Sequence, residues 1–315
     1  MNKLPFEREK VEIIFKKSRF KIARTLKPRS GNELINFGII VVNKASGPKS
    51  SHIDNKIRNL LEQPRVGHGG TLDPKVTGVL PIGIGKAVRV LQVLTTAGKV
   101  YQGIMQLHDK ASKAKVQKAF SKFTGVITQL PPKISAVKRV PRKREIYWLK
   151  ILKIKNRDVS FEVGCQAGTY IRKLCHDIGE YLGVGAHMSA LQRIQSGPLK
   201  LKDSSSLEVV KANYRRYLKT KQDTYIRKII LPPEKAVGHL PKVWIEDAVK
   251  KPFSHGSPIF TPGIIAFTSN LTKDVMVAVF DQSNNLIGFG ISAKTAKQLE
   301  TAEKGLAIKT DVVFI

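Results

Sequence analysis

Apolar positions along this chain recur at two spacings, and the spacing switches from segment to segment. Residues 39–42 (Ile-Ile-Val-Val) form an unbroken apolar run, which predicts a buried strand closed by Asn43-Lys44-Ala45-Ser46-Gly47-Pro48. Ile53, Ile57, Leu60 and Leu61 then fall at helical spacing, and Ser50 or Ser51 is the expected cap of that helix. Residues 100–107 return to strand spacing, with Tyr101, Met105 and Leu107 on one face. Ser112 opens a second helix that buries Val116, Ala119, Phe120 and Phe123. Val159, Phe161, Val163 and Cys165 alternate as another strand. Thr169 then stands as the N-cap of a helix burying Ile171, Leu174, Cys175, Ile178 and Leu182.

Between these elements lie two loops of different character. Val66 to Gly70 is rich in glycine and leads into Thr71-Leu72-Asp73-Pro74. Residues 131–144 hold Pro131, Pro132 and Pro141 with Lys133, Lys138, Arg139, Arg142, Lys143 and Arg144 and no acid, which predicts an exposed cationic loop. A second basic stretch, Lys211 to Lys228, ends near Pro232-Pro233. Past residue 236 the chain becomes short strands and turns at 243–245, 263–267, 275–280, 286–291 and 312–315, with Asn284-Asn285 the clearest turn. That pattern predicts a small, mostly β module of about five strands. The expected organisation is a basic arm at 1–33, a main domain at 34–235 and the module at 236–315. The arm is expected to pack on that module.

Charge changes the picture most. Lys and Arg number 55 against 24 Asp and Glu, a net charge of +31 over 315 residues. A surplus of this size points to a polyanionic partner, most often nucleic acid. Heat adaptation also enriches lysine, so the charge alone leaves that reading open. The basic residues are spread along the chain, which argues against a single membrane-surface patch. No apolar run is long enough to span a bilayer, and the first residues carry no secretory h-region. Cys165 and Cys175 are too few for a disulfide framework or an all-cysteine zinc site. An intracellular, cytoplasmic protein is expected. The seven histidines show no His-x-x-x-His pair, and His108-Asp109 and His176-Asp177 are adjacent residues whose side chains are expected to diverge, so no metal site is expected.

One stretch carries candidate chemistry. In Gly67-His68-Gly69-Gly70-Thr71-Leu72-Asp73-Pro74 the glycines permit close backbone approach to a ligand, and the proline holds Asp73 on extended or turn backbone. By itself this is also an ordinary Asp-Pro turn. It is not a phosphate-binding Walker loop, because no Gly-Lys-Ser/Thr follows at the required spacing.

Residues 67–81, Gly-His-Gly-Gly-Thr-Leu-Asp-Pro-Lys-Val-Thr-Gly-Val-Leu-Pro, resemble the signature of the TruB/dyskerin family of pseudouridine synthases, and among them the archaeal catalytic subunits of H/ACA guide-RNA particles (the archaeal tRNA pseudouridine synthase B type). Further blocks resemble the family in order: residues 36–44, Ala97-Gly98-Lys99-Val100-Tyr101, Gln129 to Arg139, Ala167-Gly168-Thr169-Tyr170-Ile171-Arg172, and Gly183 to Pro198. Tyr225 to Pro241 and His255 to Gly263 resemble the start and continuation of the family's C-terminal PUA domain.

The resemblance implies an α+β fold: a catalytic domain with a large mixed, mostly antiparallel sheet, plus a β-rich PUA domain that grips RNA. It implies isomerisation of uridine to pseudouridine, in rRNA through a guide RNA and in the T-loop of tRNA. The reaction conserves every atom and is redox-neutral, so neither cofactor nor metal is implied. Asp73 would be the nucleophile or the base, Arg172 would keep it ionised in a desolvated pocket, and Tyr101 would stack on the uracil. Tyr170 and Leu191 would line the pocket, His68 would help extrude the base, and Lys44 would support the Asp73 loop. Lys138, Arg139, Arg142 and Arg144 would contact RNA. Implied partners are the H/ACA guide RNA, rRNA and tRNA substrates, a small zinc-ribbon-like Nop-type subunit, a Gar-type subunit and a kink-turn-binding ribosomal-type protein. The chain departs from the family pattern at Asn43, Ala45, Lys49, Gln192 and Gln195. Two other readings are a stand-alone tRNA pseudouridine synthase and a non-catalytic basic RNA scaffold.

Overall fold

The structure, a computed structural model, describes residues 2–17, 21–23, 25–130 and 138–315. Its strands, in chain order, are β1 (Ile13–Phe15), β2 (Phe37–Lys44), β3 (Val66–His68), β4 (Thr77–Gly85), β5 (Lys99–Leu107), β6 (Gly125–Gln129), β7 (Arg142–Lys155) and β8 (Asp158–Cys165). They continue as β9 (Ala186–Ser196), β10 (Leu199–Lys200), β11 (Lys242–Ile245), β12 (Ile259–Phe260), β13 (Ile264–Thr268), β14 (Met276–Phe280), β15 (Leu286–Ser292) and β16 (Leu306–Val313). The chain divides into two compact units, Met1–Arg8 with Leu34–Leu231, and Glu9–Glu33 with Pro232–Ile315.

The first unit is built on a sheet of order β2-β4-β9-β5-β8-β7-β6, with β3 added to β4 and β10 to β9. Each pairing is antiparallel except β4 with β9, so the sheet is mixed and mostly antiparallel, as expected. The parallel crossing is tight. Gly78 sits in it at φ +99°, and a Cβ there would lie 2.2 Å from the Arg193 carbonyl oxygen, so only glycine fits. The predicted helices form at Ser50–Leu61, Lys113–Lys122 and Ile171–Leu182. Their apolar stripes, Ile53, Ile57 and Leu61, then Val116, Ala119 and Phe120, then Ile171, Leu174, Cys175 and Ile178, join sheet residues such as Leu80, Ile82, Phe161 and Val163 in one core. Each Val, Leu, Ile or Phe side chain among them contributes about 1.5–3 kcal/mol by leaving water.

Several local expectations change. Ser112 does cap its helix, accepting from Lys115 N, but Ser50 and Ser51 do not cap theirs. The first helix is preceded by Lys49 with no side-chain cap, because the Ser50 hydroxyl is engaged at Leu72. Thr169 turns its hydroxyl back to the Gln166 carbonyl, and the N-cap position falls on Tyr170. Buried Gln129 brackets Tyr170 instead, accepting from its N–H and donating to its carbonyl. The glycine-rich segment is partly a strand, since β3 pairs with β4 through Val66, Gly67 and His68. The cationic stretch is not all loop: Arg142 to Arg144 begin β7 and pair with β6. Its residues 131–137 lie outside the described residues. His176 does not diverge from Asp177, since its Nδ1 stands 3.4 Å from the carboxylate.

The second unit holds a sheet of order β1-β13-β11-β14-β15-β16-β12. Ile13 to Phe15 pair antiparallel with Thr268 to Ala266, so part of the N-terminal arm is an edge strand here. Two short strands and two helices, Asp247–Ser254 and Ala296–Thr301, add to the five strands that the alternation predicted. Val243, Phe253, Phe267, Val279, Ile287 and Ile308 form its core. Among the described residues no helix is long and apolar enough to cross a membrane.

Candidate active site

A cleft of about 480 Å³ opens on the first unit, lined among others by Gly70, Thr71, Leu72, Asp73, Lys99, Tyr101, Tyr170, Arg172, Leu191 and Arg193. These residues come from the segment after β3, from strands β5 and β9, and from the start of the helix Ile171–Leu182. The fold therefore gathers five of the sequence's candidates, Asp73, Tyr101, Tyr170, Arg172 and Leu191, around one space.

Asp73 and Arg172 form an ion pair, Nη2 to Oδ2, at 3.0 Å. Their side chains are 50% and 54% exposed, so in the chain alone the pair meets water and is not desolvated as expected. A pair so placed adds little to fold stability, and its worth grows once a ligand excludes water.

The backbone that carries Asp73 is clasped from several sides. The Ser50 hydroxyl donates to the Leu72 carbonyl at 3.1 Å and accepts from the Leu72 N–H at 3.0 Å. Lys44, fully buried, donates to the Pro74 carbonyl at 2.9 Å and to Ala45, and Gly47 N–H also donates to Pro74. Burial lowers the Lys44 pKa and the Asp73 charge opposes that shift. Arg193, 1% exposed, donates from Nη2 to the Gly70 carbonyl at 2.9 Å and from Nε to the Val79 carbonyl at 2.7 Å. Gly70 holds φ +114°, a conformation that a side chain would strain.

The deep end of the cleft is cationic. Tyr101 is the cross-strand partner of Arg193, so the phenol and the guanidinium are neighbours on one face of the sheet. Burial raises the Tyr101 pKa, the Arg193 charge works against this, and the Asp73 charge adds to it, so the phenol keeps its proton at neutral pH. Lys99 points its ammonium at the carbonyls of Leu94, Thr95 and Ala97, at the end of the helix Leu91–Thr96, at 2.8, 2.9 and 2.6 Å. Burial, reinforced by Arg193, lowers its pKa to about 8. Burial pushes the Cys165 thiol up to about 12.

His68 and Lys44 do not line the cleft. His68 lies behind the Asp73 segment, with Nδ1 2.6 Å from Asp54 Oδ2 and Nε2 3.1 Å from Thr71 Oγ1. Lys138 and Arg139 are exposed, while Arg142 and Arg144 are half-buried. The Arg144 guanidinium reaches the cleft rim, about where a side chain on Gly168 would stand. Ser50, Arg193 and Asp54 escaped the sequence reading. A signal for Arg193 existed: Leu191, Arg193 and Gln195 are alternate inward positions of one strand, and a cation there needs partners. Among the described residues no three His, Cys, Asp or Glu side chains group at metal-binding range.

Compared with known proteins, the chain falls first into a class, the RNA-modifying isomerases that form pseudouridine. Residues 58–115 and 108–171 match the N-terminal domain of TruB family pseudouridylate synthases, 172–238 the C-terminal domain of tRNA pseudouridylate synthase B, and 241–314 the PUA domain. A probable tRNA pseudouridine synthase B of Nanoarchaeum equitans is 42% identical over 315 residues, 99% of this chain and 90% of that protein. The protein of the same description in Pyrococcus furiosus is 42% identical over 284 residues, 89% of this chain and 83% of its own. A chain in the crystal structure of a Cbf5-Nop10-Gar1 complex superimposes with a TM-score of 0.94 at 39% identity, covering 99% of this chain and 96% of that one. One in an H/ACA RNP bound to a substrate RNA containing 2′-deoxyuridine gives 0.91 at 36% identity, covering 99% and 97%. The chain belongs to the TruB family of pseudouridine synthases.

Proposed function

We propose that this chain isomerises uridine in structured RNA with Asp73 as its catalytic carboxylate. The observation that carries the reading is the Asp73–Arg172 ion pair at the mouth of a cleft whose depth holds Tyr101 and Arg193. In the reaction the bond from uracil N1 to ribose C1′ breaks, the base turns, and a bond from C5 to C1′ forms. The proton lost from C5 is balanced by one gained at N1. The uridine must first leave its stack to enter such a cleft. Asp73 then attacks the sugar or removes a ribose proton; either step needs the ionised carboxylate that Arg172 favours. Tyr101 stacks on the base as a phenol, and Tyr170 and Leu191 enclose it. His68 and Lys44 hold the Asp73 segment from behind. Lys138, Arg139, Arg142 and Arg144 neutralise phosphates.

Residues 34–235 serve as the catalytic domain and 236–315 as the PUA domain gripping an RNA end; of the arm 1–33, residues 9–33 are its companion, while Met1–Arg8 group with the catalytic unit. Because similar chains occur in a complex with Nop10 and Gar1 and in an H/ACA RNP bound to a substrate RNA, the function includes rRNA modification directed by guide RNA. The partners are then a zinc-ribbon-like Nop-type subunit, a Gar-type subunit and a kink-turn-binding ribosomal-type protein. The relatives described as tRNA pseudouridine synthase B favour a second activity on the tRNA T-loop. The cytoplasm is the compartment that fits two buried, unpaired thiols and these substrates.

Asp73→Asn tests the chemistry. It keeps the side chain's size, so RNA affinity should hold while isomerisation falls by about a thousandfold or more. Retained activity sinks the mechanism. Guide dependence is tested by single-turnover modification of an rRNA fragment by the chain alone and by the reconstituted particle. Equal rates favour the stand-alone reading.

A further inference from the structure

Asp54 lies on the buried side of the helix Ser50–Leu61, between Ile53 and Ile57 in sequence. Nothing in helix formation calls for a carboxylate there, and burying one is costly unless its oxygens are paired. Oδ2 is 2.6 Å from His68 Nδ1. Oδ1 is buried and, among the described residues, has no hydrogen-bond partner. The Asp54 side chain is 10% exposed and that of His68 20%, so this contact is largely sheltered from water. On its other edge the imidazole meets the Thr71 hydroxyl, Nε2 to Oγ1, at 3.1 Å. Thr71 is two residues before Asp73 and lines the cleft.

We infer that Asp54 is a positioning residue for the reaction: through His68 it fixes the Thr71 hydroxyl and, with it, the approach of the Asp73 backbone to the substrate. The chemistry follows from donor and acceptor roles. A carboxylate can only accept, so His68 Nδ1 carries a hydrogen. In the neutral imidazole Nε2 is then the acceptor, and the Thr71 hydroxyl donates to it. The direction of the whole chain, Thr71 to His68 to Asp54, is thereby set from the buried end. Ser50 holds the next residue, Leu72, by both its backbone groups. Asp54 and Ser50 thus anchor adjacent residues of one segment from one helix. Small displacements of a reacting carboxylate are expensive in rate, about a hundredfold for an ångström.

The inference rests on Asp73 being the catalytic carboxylate, and the test keeps the two apart. Nitrogen-15 NMR of histidine-labelled full-length protein reads the His68 ring without any substrate. Wild type should give the pattern of a ring protonated at Nδ1. Asp54→Asn, whose amide can donate, should move the neutral ring toward protonation at Nε2. On whichever RNA the wild-type chain modifies, Asp54→Asn should lower the single-turnover rate at saturating RNA about ten- to a hundredfold with RNA affinity unchanged. Thr71 is exposed, so Thr71→Val should fold and reproduce that loss, and Thr71→Ser should restore the rate. A His68 pattern unaltered in Asp54→Asn, or a saturated rate unaltered in both Asp54→Asn and Thr71→Val, overturns the inference. Full activity of Asp73→Asn in the same assay would instead remove the reading beneath it.

Discussion

On one side of the cleft the segment from Gly70 to Pro74 is gripped by Arg193, Ser50 and Lys44, three side chains that are themselves buried. On the other side Arg172 stands half exposed at the start of a helix, with Arg144 near the rim. The first side is fixed before any RNA arrives. The second has charges that water still reaches, so its electrostatic effect depends on what covers it. The contrast explains how one arginine can matter to the fold and another to the chemistry, though both lie within the same cleft.

Arg172→Met should break the open side alone. Activity is expected to fall by about a thousandfold, as for loss of a charge needed only in the reaction, while the melting temperature stays nearly unchanged. Single-turnover rates beside calorimetry read both outcomes. A large loss of stability would mean that the exposed pair supports the fold after all.

Arg193→Met should break the fixed side. It leaves the Gly70 and Val79 carbonyls without the donors they now have, and each loss costs about 1–3 kcal/mol. Chemical denaturation should register the sum, and Arg193→Lys should recover only part of it, because an ammonium lacks the guanidinium's fixed fork. Full recovery by lysine would show that charge alone is required there.

Salt dependence sharpens the comparison. Replacing Arg139, Arg142 and Arg144 by Ala should flatten the slope of log affinity against log salt by about one unit for each phosphate no longer neutralised. Titration of RNA binding at several salt concentrations measures it. An unchanged slope would take these residues off the RNA path.

The smallest effect concerns Lys99. Folding lowers its pKa from 10.5 to about 8, because of burial and then the neighbouring Arg193 charge. Between those two values the unfolded chain holds a proton that the folded chain has released. This residue therefore makes unfolding free energy rise with pH across that window and contributes no slope below it. Comparing the stability of wild type and Lys99→Met from pH 7.5 to about 10 isolates the slope; identical slopes would rule out the shift.

Much of the architecture was legible because it is local. The helices around Ile53, Val116 and Leu174 and the strands around Val41 and Phe161 follow from spacing within a few residues. The family blocks led to the right family, and five of the candidate residues they marked border one cleft. What escaped were the partners of Ser50, Arg193 and Asp54, polar side chains whose bonds join segments that no family block links. Ser50 looked like a cap because hydroxyls before helices usually are, yet its partner is Leu72, held close by the fold. Arg142 to Arg144 looked like loop because they are cations beside prolines with no acid among them, but their backbone groups pair with β6, which side-chain charge does not forbid.

By itself, then, the sequence determined where helices and strands form, the excess of positive charge and the placing of Asp73 before a proline in a glycine-rich segment, all matters of composition or of neighbours along the chain. Only the tertiary structure decided that Arg193 meets the carbonyl of Gly70, 123 residues away, that Asp54 faces His68, and that the backbone on either side of Asp73 is clasped while the Asp73–Arg172 pair itself is left open to water. The reason is physical. A buried apolar side chain needs only to leave water, which periodicity reveals, whereas a buried polar one needs a particular partner in a particular direction, and strand pairing across the sheet supplies it.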